Sequence, residues 1–188
     1  MIKQRDFVFS RLAYKIYLMA LLKIVHYPEP VLLAVGKPFG EEEFNEELQK
    51  LVEDMFETMY DSQGVGLAAP QVGVSKRLFV MDVPTEEGES NRIALINPEI
   101  ILQEGEQVGD EGCLSFPGIY TTVRREVRTI VRYKDVFGKE QELDCTDLSA
   151  RCVLHETDHC DGKLFLDHLP KMRRDMIVTR FKKEKRWK

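Results

Sequence analysis

The sequence predicts an α+β protein: antiparallel or mixed β-sheets around a central helix, with one helix in the N-terminal half and another at the C-terminus. Two patterns predict it. Apolar residues recur at spacings of three and four at 41–60 and 148–160, and the stretch between them is rich in Val, Ile, Thr and Tyr. Helices segregated to the ends, with strands in the middle, do not fit alternating βαβ units. A third observation sets the size, because 188 residues, 43% of them hydrophobic, suit one domain with a real core.

Taken in order, residues 26–40 hold Pro28, Pro30, Gly36, Pro38 and Gly40 and read as an ordered loop or extended arm. Glu41 to Tyr60 reads as a helix. Phe44, Leu48, Leu51, Met55, Phe56 and Met59 form one stripe, acids crowd the first turn, and core packing accounts for the stripe. Residues 64–71, GVGLAAPQ, read as a loop of small residues. Residues 77–83 and 92–96 read as strands joined by a polar hairpin loop, with Asn97-Pro98 ending the second. Further strands are expected at 99–109, 119–134 and 139–145, the last two separated by a turn at 135–138. Leu148 to Cys160 reads as the central helix, closed by Asp161-Gly162, and a second amphipathic helix with basic residues follows Pro170.

The net charge of −5 hides an asymmetry. Residues 1–23 carry five Lys/Arg against one Asp, and residues 171–188 carry nine against two, so the body between them is strongly acidic. Three segments are therefore expected: an extension at 1–20, a body at 21–170 and a basic tail at 171–188. The extension reads either as a targeting peptide or as sequence upstream of a start at Met19. No run reaches the roughly 20 apolar residues of a membrane span, so no membrane association is expected. Four cysteines in a chain of this length are not needed as crosslinks. Cys113 also lies in a glycine- and acid-flanked loop, which points to reduced sulfur. The expected location is the cytoplasm, or an organelle if residues 1–20 are a targeting peptide.

The chemistry is concentrated in His155-Glu156-Thr157-Asp158-His159. On a helix, histidines four apart share a face, so both imidazoles reach one metal ion with a carboxylate base beside them. A third ligand is required. Cys152 shares the face, but residues seven apart lie about 10.5 Å apart along a helix axis, too far to close on the same ion as His159. Cys160 points about 100° away from His159, and Cys145 sits on a strand without catalytic-looking neighbours. Cys113, in Glu111-Gly112-Cys113-Leu114-Ser115, stands out, and His168 remains as the other candidate. The metzincin protease pattern fails, because Phe165 occupies the position of its third His. A thermolysin-like site wants a downstream Glu, and after Gly162 there is only Glu184 in the basic tail. In the loop at 64–71, the small residues allow close backbone approach, and Gln71 offers an amide donor to a developing oxyanion.

GVGLAAPQ (64–71), EGCLS (111–115) and HETDH (155–159), in this order and spacing, resemble the peptide deformylase family over about Leu22 to Leu169. The resemblance implies that 21–170 is the catalytic domain. It implies that Cys113, His155 and His159 bind one divalent metal ion, with Fe²⁺ the physiological ion and Zn²⁺ or Ni²⁺ able to replace it. Glu156 would carry the proton from water to the leaving amine, with Gln71 and the Leu114 backbone N–H holding the oxyanion. The substrates would be N-formylmethionyl nascent peptides, cleaved to formate and a free amino terminus. Backbone groups near Gly66 would pair with the extended peptide, and Val65, Leu148 and Cys152 would wall the methionine pocket. Glu111 and Arg125 match family positions, where they would brace the Cys loop. Asp158 would orient a ligand or lie on the helix surface. The basic tail would dock on ribosomal RNA or be a solvated face; no DNA partner is expected. Leu154, Thr157 and Cys160 depart from the family pattern without touching a proposed ligand or the base. Two rivals are a general metallopeptidase or amidase using the same site and a non-catalytic module with structural zinc. A structural site would normally close with four protein ligands.

Overall fold

A computed structural model describes residues 20–85 and 87–185. The expected extension therefore lies outside the described residues, apart from Ala20. Helix α1 spans Glu46–Asp61, not Glu41–Tyr60. Asn45 sets the start, its side-chain oxygen accepting from the N–H groups of Glu47 (2.9 Å) and Leu48 (3.2 Å). Glu41–Glu43 form a separate 3₁₀ turn before that cap.

Among the described residues, seven strands follow in chain order: β1 Gly66–Ala68, β2 Leu78–Asp82, β3 Arg92–Glu104, β4 Gln107–Gly112, β5 Tyr120–Arg125, β6 Arg128–Lys134 and β7 Glu140–Thr146. They form a five-stranded sheet, β1-β2-β3-β6-β7, and a two-stranded sheet, β4-β5. Every strand pair is antiparallel, so the sheets are not mixed. Four strand expectations need correction. The stretch 99–109 is not one strand, because a turn at Gly105 (φ 70°) ends β3 at Glu104 and β4 begins in the other sheet at Gln107. The small-residue loop contains β1, an edge strand whose Leu67 faces Val80 of β2. Asn97-Pro98 does not end β3, because Asn97 takes a left-handed conformation (φ 53°) and the register shifts between Ile96 and Glu99. That bulge absorbs the proline, and the Asn97 amide bonds the backbone of Phe39 on both sides. Residues 119–134 are two strands in different sheets, parted at Glu126-Val127.

Helix α2, Asp147–Cys160, packs on one face of the large sheet and α1 on the other. The alternation along β2 follows from this: Phe79 and Met81 meet α2, while Leu78 and Val80 meet α1. A third apolar cluster, including Leu32, Phe116, Val123, Phe165 and Phe181, joins the small sheet to helix α3, Lys171–Lys185. Helix α3 contributes a narrow stripe of Ile177, Val178 and Phe181 and leaves Met172 and Met176 exposed, so it is less amphipathic than expected. Among the described residues, no helix is long and apolar enough to cross a membrane.

Gly162 ends α2 in the left-handed conformation (φ 70°), and a Cβ there would lie 2.8 Å from the backbone carbon of Ala34. Gly73 has a similar φ of 82° but nothing within 4 Å. Gly162→Ala should therefore lose about 2–4 kcal/mol in urea unfolding, against roughly 1 kcal/mol for Gly73→Ala. Equal losses would show that the contact with Ala34 relaxes freely.

Candidate active site

Helix α2 carries His155 and His159 on its buried side, and the turn after β4 carries Cys113 up to them. One ligand atom from each of Cys113, His155 and His159 lies within 4.8 Å of the others. Cys113 Sγ is 3.3 Å from His159 Nε2. Burial pushes the Cys113 thiol up, but the facing His159 and His155 rings outweigh it and hold it down to about 5. The other cysteines do not join the cluster. Cys152 turns its thiol towards Val65 O (3.6 Å), Cys160 towards Leu78 O (3.8 Å), and Cys145 is buried in the core of the large sheet.

Behind His155 stands Glu111. Its Oε2 lies 2.9 Å from His155 Nδ1, which leaves the His155 Nε2 lone pair facing the cluster. Arg125 forks onto the same carboxylate at 2.9 and 3.0 Å, and Arg151 Nη1 reaches it at 2.8 Å. Burial alone would raise the Glu111 carboxyl, yet His155 and Arg125 hold it well below the usual carboxylate range. Arg125 also bonds Asp158 Oδ2 at 2.6 Å, and His168 Nε2 sits 2.7 Å from that oxygen. His168 therefore belongs to the outer network and not to the ligand cluster. The expected contact between Glu111 and Arg125 is present, and Asp158 extends it.

Glu156 is buried next to the cluster, and its Oε2 has no hydrogen-bond partner. Burial raises its carboxyl above the usual value, with His155 and His159 only partly opposing. Gly66 explains how the carboxylate fits, since a Cβ there would fall 2.5 Å from Glu156 Oε1 and 2.8 Å from Cys152 Sγ. Gln71 accepts from Ala68 N–H at 2.8 Å, which turns its amide nitrogen towards Cys113 Sγ at 3.5 Å. Gln71, Cys113, Leu114, His155 and Glu156 all open on one cleft of about 490 Å³. Val65, Gly66, Leu148 and Cys152 line the same cleft, with Val65 and Leu148 half-exposed at its mouth.

Arg151 was the residue that sequence reasoning passed over. It lies one helical turn before His155, so the spacing that links the two histidines also pointed to it. Leu154 and Cys160 fill apolar core positions. Thr157 is buried with an unpartnered hydroxyl, which nothing in the structure explains.

Three convergent soft and borderline ligand atoms, a buried unpaired carboxylate and an aimed amide in one cleft suit a mononuclear metallohydrolase. The family-level sequence model described as polypeptide deformylase matches residues 21–175. The peptide deformylase of Bartonella quintana is 45% identical over 166 residues, covering 88% of this chain and 93% of its own length. A crystal structure of a peptide deformylase from Legionella pneumophila superposes with a TM-score of 0.81 at 46% identity, covering 89% of this chain and 97% of that one. The peptide deformylase of Ehrlichia chaffeensis in complex with actinonin gives 0.83 at 40% identity, covering 89% and 99%. The chain belongs to the polypeptide deformylase family.

If Arg125 braces Glu111 and through it His155, Arg125→Ala should weaken zinc affinity about 10- to 100-fold. Competition with a chromophoric chelator measures this, with circular dichroism reporting the fold. Unchanged affinity in a folded variant would remove Arg125 from any bracing role.

Proposed function

We propose that the deformylation this family performs takes place, in this chain, at the cluster of Cys113, His155 and His159, with Glu156 moving the proton. The reaction removes the N-formyl group from the N-terminal methionine of new polypeptides and yields formate and a free amino terminus. The observation that carries the assignment is the buried Glu156 carboxylate, unpartnered at Oε2, beside three ligand atoms that converge within 4.8 Å. A thiol held down to about 5 and an imidazole with its Nδ1 committed to Glu111 are a fitting donor set for one divalent cation.

When bound, the ion supplies a Lewis acid that activates water and polarises the formyl oxygen. Glu156 takes the proton of the attacking water and hands it to the leaving amine, and its raised affinity for protons suits both halves of that transfer. The Gln71 amide and the Leu114 backbone N–H donate to the oxyanion that develops on the formyl oxygen as its carbon becomes tetrahedral. Gly66, on an edge strand, offers backbone groups to an extended peptide. The methionine side chain enters between Val65, Leu148 and Cys152. The thiol of Cys152 is pushed well up by burial, which suits an apolar wall. We assign Fe²⁺ as the physiological ion, with Zn²⁺ or Ni²⁺ as substitutes. Affinity order favours the later metals, so supply must decide. The free cysteines fit a reducing compartment, and we infer the cytoplasm.

Purified protein loaded anaerobically with each ion should release formate from a formyl-Met tripeptide without cleaving its backbone. Glu156→Gln should keep its metal and lose turnover by at least about 100-fold. Backbone cleavage would favour a general peptidase, and an unaffected Glu156→Gln would remove its proposed role.

The basic C-terminal helix is proposed to dock on ribosomal RNA. Because Phe181 is buried, truncation would damage the fold. The exposed charges Lys171, Arg173 and Lys183 can instead be replaced by Gln. Ribosome cosedimentation should then weaken, and its log–log salt slope should fall by about 0.7 to 0.9 for each phosphate no longer neutralised. Equal binding at every salt concentration would end the idea.

A further inference from the structure

We propose that His168 is a positioning residue: it holds Asp158 so that Arg125 keeps its aim on Glu111, and so helps to fix the imidazole of His155. This rests on the ligand set proposed above and extends its support out to the surface. A 3₁₀ turn, Phe165–His168, follows α2. Residues three apart in such a turn share a side, and here both ends reach the ligand helix. The Phe165 ring lies 5.8 Å from the His155 ring, centroid to centroid, and His168 Nε2 lies 2.7 Å from Asp158 Oδ2. The turn is already held without His168. Phe165 is buried edge-on against Phe116, and Asp167 Oδ2 accepts from Leu164 N–H at 2.9 Å. A histidine that served only to anchor the turn would be redundant.

The hydrogen bonds show what it adds. Arg125 spends Nε and Nη2 on the Glu111 carboxylate and Nη1 on Asp158 Oδ2, at 2.6 Å. A fork alone leaves a guanidinium free to pivot about the carboxylate, and a third bond from Nη1 stops the pivot. That third bond is only as firm as Asp158. The Asp158 side chain is 14% exposed, so water competes for Oδ2 unless another donor holds it. His168 is that donor. Its Nε2 must carry the hydrogen, because a bare nitrogen would set its lone pair against an ionised carboxylate oxygen. Nε2 and Arg125 Nη1 stand 3.0 Å apart and converge on the same Oδ2. The path from His168 through Asp158, Arg125 and Glu111 then ends on His155 Nδ1. His168 does not line the cleft, so it acts on the ligand and not on the peptide.

Zinc affinity by chelator competition and stability by urea unfolding, measured on the same samples, test this. His168→Ala should weaken zinc about 3- to 10-fold, less than the roughly 10- to 100-fold typical of a group bonded directly to a ligand. His168→Gln should restore affinity to within about twofold, because its amide nitrogen can stand where Nε2 stands. In an Asp158→Ala background, His168→Ala should change zinc affinity by less than about twofold, since the path runs through that carboxylate. A mere turn anchor would lower stability in both backgrounds and leave zinc affinity alone, which would overturn the proposal. Equal zinc losses in both backgrounds, or no rescue by Gln, would overturn it too. Formate release from formyl-Met-Ala-Ala separates this role from the reaction. Coupling between His168 and Asp158 without formate release would overturn deformylation and leave the role of His168 standing. A wild type that binds no zinc would overturn the ligand set and the role of His168 together.

Discussion

A buried carboxylate needs partners, and Glu111 has three: His155, Arg125 and Arg151, all within 3.0 Å. Taking a carboxylate and two guanidinium groups out of water costs several kcal/mol each, and only close, well-directed pairing offsets that. The pairing draws together β4, which carries Glu111, β5, which carries Arg125, and α2, which carries Arg151 and His155. The small sheet and the central helix are therefore joined by charge where the large sheet and the same helix are joined by apolar burial. Removing Glu111 takes from Arg125 and Arg151 the carboxylate they share and leaves buried charge undercompensated, at about 3–5 kcal/mol. The orientation of His155 is thereby tied to the docking of the two sheets and is not free to relax.

Close approach is the second constraint, and beside the ligand cluster Gly66 and Gly112 meet it. Gly66 brings the edge strand β1 against Glu156 and Cys152, and Gly112 brings the loop before Cys113 under the Tyr120 ring. Neither needs a left-handed backbone. Both are required because a methyl group would occupy the space of a neighbour's functional atoms.

Much of this was legible in the sequence because it depended on local spacing. The His155 and His159 pair, Glu156 between them and the glycine that closes α2 all follow from helix geometry. The contact between Glu111 and Arg125 was expected from the family pattern. What was illegible depended on partners distant in sequence. Strand β3 continues through Asn97-Pro98 because the Asn97 side chain meets Phe39, 58 residues away. Residues 120–134 divide into two strands because their neighbours, β4 and β3, lie in different sheets. Arg151 gains its role only when β4 supplies Glu111, and Gly109 keeps the approach open, since a Cβ there would fall 3.2 Å from Arg151 Nη2.

The two sides of the cleft answer different physical demands. The side formed by α2 and the Cys113 turn is dense with paired charge, so its geometry is held within narrow limits, as the proposed proton transfer and oxyanion binding require. The side formed by β1 is backbone edge, and the rim is exposed apolar surface. Backbone pairing recognises any extended peptide, and apolar surface tolerates many side chains. An enzyme that must act on the first residue of many different chains needs strict discrimination at that residue and little beyond it. Rigidity from the Glu111 network and permissiveness from the β1 edge are compatible because they reside in different elements, which meet where Val65 and Gly66 face Cys152 and Glu156. A substitution that stiffens the rim can thus alter which peptides bind without disturbing the chemistry. On the proposed assignment, one that loosens Glu111 alters the chemistry for every peptide alike.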